Sequence, residues 1–504
     1  MQKKKSFDIM LKKNKNQYNH YRKDFFMNII SQNFKNALKN KIKILITPIY
    51  YNLIDSIVDN IGNNNFDFSK YFSLFHSVQS SVRDAMRLII VSTFEEIDAE
   101  FKTSLFRKSR YYINKSNVSR TLNTIIGPIT FSRTYYKSKF SKKSFFFLDS
   151  AFDLPKYDHY DPIVKAIAIQ NAVDTSQAQA SRYISSFVDD VKFWVDNSSF
   201  LNIPRQSIFN WIKSWHVPNI VPKSIHTPET LYVMADEKYI GAQDIDKDIM
   251  VKCFVTFEDV KHVSKHRNAL SNRFVFSTYS SKPWPQFMDL IAKRYDFSKI
   301  NNICLLGDGG SWIKSGVNEL RIDTNNSVKF YLCEFHFKQA IHNITPDDDE
   351  RQKLIDIFTT QSKQNFIDAV NEILTNNPHK EQTITKKLNY IINNYTAIKS
   401  MLNLNVGSSM ESHISHLIAS FFSSRPKGFS TKRINKYLKL NDYKNNNINI
   451  FNLYLKSYKY KKTMSIDEDY LDFSIFYKDD IHNIPILNYG LVTPIYKDLK
   501  AIAH

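Results

Sequence analysis

Three acidic stretches carry the residue types and spacing that could hold a metal ion. In Asn302-Ile-Cys-Leu-Leu-Gly-Asp308-Gly-Gly-Ser-Trp312-Ile-Lys314 an apolar run stops at an acid and two glycines, and a helical pattern follows. Asp308 is therefore predicted at the C-terminal tip of a buried strand, although Asp-Gly is also ordinary turn chemistry and, taken alone, reads as a turn. Leu231-Tyr-Val-Met-Ala-Asp236-Glu237 reads as a second strand ending in acids. After Gly407-Ser-Ser, the segment Met410-Glu411-Ser-His413-Ile-Ser-His416-Leu-Ile-Ala-Ser-Phe-Phe422 reads as an apolar-faced helix with an acid near its start, stopped by Pro426 and Gly428. Carboxylates at strand tips and on a following helix offer the hard oxygen ligands that Mg²⁺ or Mn²⁺ prefers.

The elements that must position these acids follow from periodicity. Leu231–Glu237, Ile249–Phe257 and Arg273–Thr278 read as three strands, then come a helix over 284–295, the strand ending at Asp308, a helix from Ser311 to Leu320, and a fifth strand from Val328 to His336. Three strands, helix, strand, helix, strand is the order of a ribonuclease-H-like sheet, in which the first and fourth strands lie side by side. The fold class expected is α/β, a ribonuclease-H-like core over 226–345 with a helical insertion over 346–400 and the third acid's helix plus a basic segment over 401–445. Upstream, 1–120 reads as a basic arm and helices, 121–155 as a small β-hairpin, and 156–225 as a helix-turn-helix-like region. Residues 446–504 form a tail without recognisable chemistry.

A formal net charge of +20 and a pI near 9.4 call for a polyanionic partner or an anionic surface, although Lys- and Asn-rich usage also follows from AT-rich codons. DNA is the expected partner. Residues 1–24 hold eight Lys or Arg against Asp8 and Asp24, a net of +6, and read as a solvated arm able to touch phosphates. The hairpin carries Arg133, Lys137, Lys139, Lys142 and Lys143 among tyrosines and phenylalanines; nucleic-acid grip and edge protection account for it equally well. Pro204 suits the first position of a helix whose Arg205, Gln206, Ser207 and Asn210 could reach base edges, though helix pairs are also common packing units. Arg425, Lys427, Lys432, Arg433, Lys436 and Lys439 form a basic spray suited to phosphates. Cys253, Cys304 and Cys333 all lie in apolar runs, so no disulfide framework is expected. No secretory signal and no apolar run near ~18 residues is present, which points to a cytoplasmic protein with no membrane partner.

Several motifs in order resemble the ISLre-type insertion-sequence transposases, a group within the DDE superfamily distantly similar to Mutator-type transposases. The resemblance rests on Ala235-Asp236-Glu237, Gly307-Asp308-Gly309 with Trp312-Ile-Lys314, Phe335-His336 with Lys338 and Ala340-Ile341, and Glu411-Ser-His413-Ile-Ser-His416 followed by Ser424-Arg-Pro-Lys-Gly428. Phe131-Ser-Arg-Thr-Tyr-Tyr136 and Leu148-Asp149 extend it, so that it covers roughly residues 120–440. It implies a catalytic and metal-binding triad of Asp236, Asp308 and Glu411 with Mg²⁺ or Mn²⁺, supported by Cys333, His336, Trp312, Lys314 and His413. It also implies cleavage and joining of element-end and target DNA, with a homodimer at synapsis. Cys333-Glu-Phe-His336 departs from the more usual Asp at its first position, and no second ligand pair completes a zinc site. A non-catalytic DNA-binding protein and a metal-dependent nuclease without strand transfer are the alternative functions.

Overall fold

A computed structural model describes residues 32–61, 68–152, 154, 156–189, 203–264, 267–321, 326–404, 406, 417–418, 420–422 and 429–465. The chain forms two compact units, one of residues 1–172, 177–209 and 454–504, the other of 173–176 and 210–453. No helix among the described residues is long and apolar enough to cross a membrane.

In the first unit α1 (Gln32–Ile61) pairs with α2 (Phe68–Thr103), and the short α3 (Leu105–Arg110) leads into a three-stranded antiparallel sheet. Its strands are β1 (Tyr111–Thr124), β2 (Gly127–Ser138) and β3 (Ser144–Phe146), followed at once by α4 (Phe147–Ala151). The sheet is larger than the hairpin expected, because β1 starts at Tyr111 inside the stretch read as helical. The segment ending at Asp149 turns helical after Phe146. Gly127, at φ +99, closes the tight turn between β1 and β2 in a conformation that suits glycine. The helical spacing of Ile90, Phe94 and Ile97 lays α2 on the sheet, where Phe101 stacks on Phe147 with centroids 3.8 Å apart over Leu122, Ile129 and Phe131. Arg133 does not face outward as the hairpin reading required. It pairs inside the unit with Asp149, whose other oxygen lies 2.8 Å from Arg120 Nη1. After this come α5 (Pro162–Asp174), α6 (Gln177–Asp189) and α7 (Arg205–Ser214), where the proline and capping signals placed them.

The second unit is built on a five-stranded mixed sheet. Its strands are β4 (Thr230–Ile240), β5 (Ile249–Phe257), β8 (Phe274–Thr278), β9 (Asn302–Gly307) and β10 (Ser327–Leu332), ordered β10-β9-β4-β5-β8. The first and fourth core strands are thus neighbours, paired in parallel, while β4, β5 and β8 are antiparallel. Between β5 and β8 the chain makes an exposed ribbon of β6 (Asp259–Ser264) and β7 (Arg267–Ser271) that the strand reading did not foresee. Helix α8 (Pro283–Arg294) covers one face with Trp284, Phe287 and Ile291 against Leu231, Val233, Phe254 and Leu305. The helix expected from Ser311 to Leu320 is two short pieces, α9 (Ser311–Lys314) and α10 (Gly316–Glu319). The fifth strand stops at Leu332, and Cys333 caps α11 (Glu334–Ile344), so His336 is helical rather than strand.

The insertion folds as α12 (Asp348–Thr360), α13 (Lys363–Asn376), α14 (Glu381–Asn393) and α15 (Tyr395–Leu402) around Phe358, Phe366, Val370 and Ile391. Its core is continuous with Leu332 and with Phe337 and Ile341 of α11, so it braces the sheet rather than standing apart. Two further helices follow, α16 (Thr431–Asn445) and α17 (Ile450–Ser465).

Helix α16 seals the free edge of β8 with side chains instead of another strand. Asp442 Oδ2 accepts from Ser277 N at 2.7 Å and Asn446 Oδ1 from Val275 N at 2.7 Å, while Asn446 Nδ2 donates to Val275 O at 2.8 Å. Burial pushes the Asp442 carboxyl up to about 8, against the Ser277 hydrogen bonds that lower it. An unfolded aspartate ionises near 3.8, so the stability this group contributes is present at low pH and is lost as pH rises from about 4 to about 8. Asp442→Asn is expected to remove that loss and to be more stable than wild type above pH 8. Asp442→Ala, which strands the Ser277 donors, is expected to cost about 1–3 kcal/mol; denaturant titrations from about pH 5 to about pH 9 measure both.

Candidate metal centre

The register of the sheet brings Asp236 and Asp308 together. Thr230 pairs with Asn302 and Met234 with Leu306, and continuing that register by two residues sets Asp236 level with Asp308. Leu332 pairs with Gly307 and Cys333 N donates to Gly307 O at 2.9 Å, so Cys333 falls on the same level. In parallel strands residues at one level share a face and sit about 4.8 Å apart. Here that face is opposite the one α8 covers, since the alternate residues Ala235 and Leu305 lie in the core beneath α8. One difference from the sequence reading is that β4 does not end at its acids. It runs on to Ile240 paired with β5, and only its pairing with β9 stops before Asp236.

Asp236 is 8% exposed, and burial pushes its carboxyl up to about 6. The Glu237 N–H lowers it, the Asp308 charge raises it further, and His336 opposes that rise. Asp308 is fixed from both sides. Its Oδ1 accepts from Gly310 N at 2.8 Å, and its carbonyl accepts from the Tyr390 hydroxyl of the insertion at 2.7 Å. Between them Gly309 sits at φ +90 with Leu332 and Asn394 pressed against it, so a side chain there would be strained and crowded. The loop is tied to β4 by Trp312, whose indole N–H donates to Glu237 and whose carbonyl accepts from Trp284 Nε1 at 2.7 Å. Lys252, buried in β5 across from Glu237, donates to Ser280 O at 3.0 Å with its ammonium 5.6 Å from the Trp312 ring centroid. Lys314 lies 5.9 Å from the Phe330 centroid and packs along Gly309.

His336 stands on the first turn of α11, and its pKa is raised by the Cys333 thiol and, more weakly, by both carboxylates, against its burial. Its Nδ1 is buried with no hydrogen-bond partner among the described residues. Two hard carboxylates side by side, one held partly protonated by burial and by its neighbour, fit a divalent cation, which would relieve both. Among the described residues no group of three or more His, Cys, Asp and Glu gathers to hold an ion by itself. Glu411, His413, Arg425 and Lys427 lie outside the described residues.

The residues expected to face DNA divide. Arg205, Gln206 and Asn210 on α7 are exposed and Ser207 is half-buried; Lys432 is exposed and Arg433 half-buried. Lys436 and Lys439 leave the basic spray. Lys436 Nζ donates to Lys213 O at 2.6 Å and Lys439 Nζ to Val217 O at 2.9 Å, and burial lowers both pKa values. These lysines meet the carbonyls at and beyond the end of α7, a common role for lysine at a helix C-terminus. Sequence reasoning missed Tyr390, which nothing in the insertion's helical pattern distinguishes. Lys252 had a signal, a lone charge inside the apolar run Ile249–Phe257.

The sequence profile of an uncharacterised protein family, UPF0236, matches residues 65–453, and the chain belongs to that family. One UPF0236 protein of Caldanaerobacter subterraneus subsp. tengcongensis is 26% identical over 440 residues, covering 84% of this chain and 89% of the relative. A second from the same organism is 25% identical over 434 residues, with 82% and 88% covered. A third, 24% identical over 440 residues, bears a name that joins eleven locus designations of one genome.

A folded Asp236 that ionises near 6 rather than 3.8 contributes stability at low pH that is lost as pH rises between those values. In metal-free buffer Asp236→Asn is therefore expected to gain on wild type by up to about 3 kcal/mol as pH rises from about 4 to about 7, read by denaturant unfolding. Tyr390→Phe removes the donor to Asp308 and is expected to weaken Mn²⁺ binding, read as a smaller metal-induced rise in melting temperature, with at most about 1.5 kcal/mol lost from metal-free stability.

Proposed function

We propose that this protein is a DDE transposase of a bacterial insertion sequence, with a ribonuclease-H-like core that cuts element-end DNA and joins it to target DNA. One observation carries the reading: Asp236 on β4 and Asp308, just past the end of the neighbouring parallel strand β9, lie close enough for the charge of one to raise the pKa of the other, in a sheet ordered β10-β9-β4-β5-β8. That strand order and the nearness of the two acids support the reading. The eleven locus designations in one relative's name support it too, since many loci of one genome under a single protein name are what a mobile element leaves behind.

Asp236 and Asp308 would hold Mg²⁺ or Mn²⁺, with Glu411 assigned as the third carboxylate by resemblance. Divalent ions bound there would activate a water or a 3′ hydroxyl and neutralise the departing oxygen. The protein's own part is to keep the carboxylates in place. Tyr390 and the Gly309-Gly310 turn fix Asp308, Glu237 and Trp312 hold the loop to β4, and His336, whose pKa both carboxylates help to raise, stands beside the acid pair. Arg205, Gln206, Ser207, Asn210, Lys432 and Arg433 would contact DNA, together with Arg425 and Lys427.

The test uses duplex DNA taken from the sequence that flanks the gene on each side, incubated with the protein and Mg²⁺. Strand-transferred products are expected. Asp236→Asn should abolish nicking and joining while changing DNA affinity by less than about threefold, a difference under about 1 kcal/mol. Nicks without joined products would leave a nuclease, and no nicks at all would leave a DNA-binding protein. Retained cleavage by Asp236→Asn would remove the acid pair from the mechanism.

A further inference from the structure

We propose that the turn joining β2 to β3 is a nucleic-acid contact in which the Phe140 ring stacks on an unpaired base while lysines around it engage the phosphates. Between Phe101 and Leu148 the sequence holds eleven Lys and Arg and no acid. Arg120 and Arg133 both pair with Asp149 inside the unit and are turned away from the surface. Much of the remaining charge gathers at one corner. Lys137, Lys139, Lys142 and Lys143 are exposed in and beside the turn, and Lys108 and Arg110 of α3 lie against it. Phe140 projects from the middle of this cluster, 80% exposed.

The turn is held rigidly. Ser138 N donates to Lys143 O at 2.9 Å, and Ser138 Oγ accepts from Phe140 N at 3.2 Å and Ser141 N at 3.1 Å. Lys139 ties it to α3, its backbone N–H reaching Arg110 O at 2.9 Å and its ammonium Lys108 O at 2.7 Å. The Lys139 ammonium also lies 4.9 Å from the centroid of Tyr112, a second exposed ring. An aromatic ring presented by an ordered turn loses little freedom on binding. Lysines alone would be explained as protection of the β3 edge against aggregation. An exposed phenylalanine at their centre works against that purpose, and it matches the pairing of aromatic platform and basic track that binds single strands. The inference names where nucleic acid is gripped and does not depend on the acid pair.

The test is fluorescence anisotropy of the full chain in EDTA with a labelled single-stranded oligonucleotide and the duplex of the same sequence. Phe140→Ala is expected to weaken single-strand binding about 5- to 100-fold, to affect the duplex less, and to leave the salt slope unchanged; Phe140→Trp should restore binding. Replacing Lys137, Lys142 and Lys143 together by Ala should weaken both and lower the single-strand salt slope by about 2. Unchanged affinity of Phe140→Ala for both oligonucleotides, equal losses on both, or a triple variant with an unaltered slope would overturn the proposal. Both affinities are read in EDTA, where the acid pair carries out no chemistry. A failure of the Phe140 contact is thereby distinct from a failure of the acid pair, which shows only in nicking with Mg²⁺.

Discussion

One backbone register, β4 against β9 in parallel from Thr230 with Asn302 to Met234 with Leu306, places two carboxylates side by side at the sheet's end. Like charges at that spacing repel, and burial removes the water that would screen them. The surroundings resist the separation that repulsion favours. Tyr390 and the Gly309-Gly310 turn pin Asp308 from one side, and the Trp312 link to Glu237 pins the same loop to β4 from the other. Asp236, inside a strand paired through Ile240, cannot swing away either. The pair is therefore held in a geometry that a cation relieves, the arrangement expected of a preorganised ion site.

The same level of the sheet continues in the other direction. Asp236 pairs with Cys253, Cys253 with Ser277, and Ser277 receives Asp442 from α16. Two aspartates on one row thus have opposite fates. Asp442 is sealed against the edge strand and stays protonated to about 8, serving as a hydrogen-bonding plug. Asp236 keeps a remnant of exposure and ionises near 6 beside Asp308 and His336. Burial is the largest cause of both shifts, and its extent sets the two apart. The insertion serves this end of the sheet as well, because its core includes Leu332 and its Tyr390 reaches the acid loop.

Much of this was legible in the sequence wherever a local pattern has a local cause. An apolar run stopping at Asp308-Gly-Gly specifies a strand and its end, Pro204 a helix start, and the spacing of Ile90, Phe94 and Ile97 a buried helical face. Misreadings came where residue type and position compete. Cys333 to His336 looks like more of an apolar strand, yet the chain turns into α11 there because Phe337, Ile341 and Ile344 recur at helical spacing. Arg133 looked like a surface cation until the fold supplied Asp149 as its partner, and Lys436 and Lys439 until it supplied carbonyls.

The sequence by itself determined the five strands of the second unit's sheet, apart from where they end, the order in which three acids arrive, and the excess of positive charge, because each depends on neighbours along the chain. Tertiary structure alone decided that Asp236 and Asp308 share a level, that Tyr390 from a distant insertion holds one of them, and that Asp442 is a plug rather than a ligand. Those outcomes depend on strand register and on what covers each side chain, and both are set by contacts between residues tens to hundreds of positions apart.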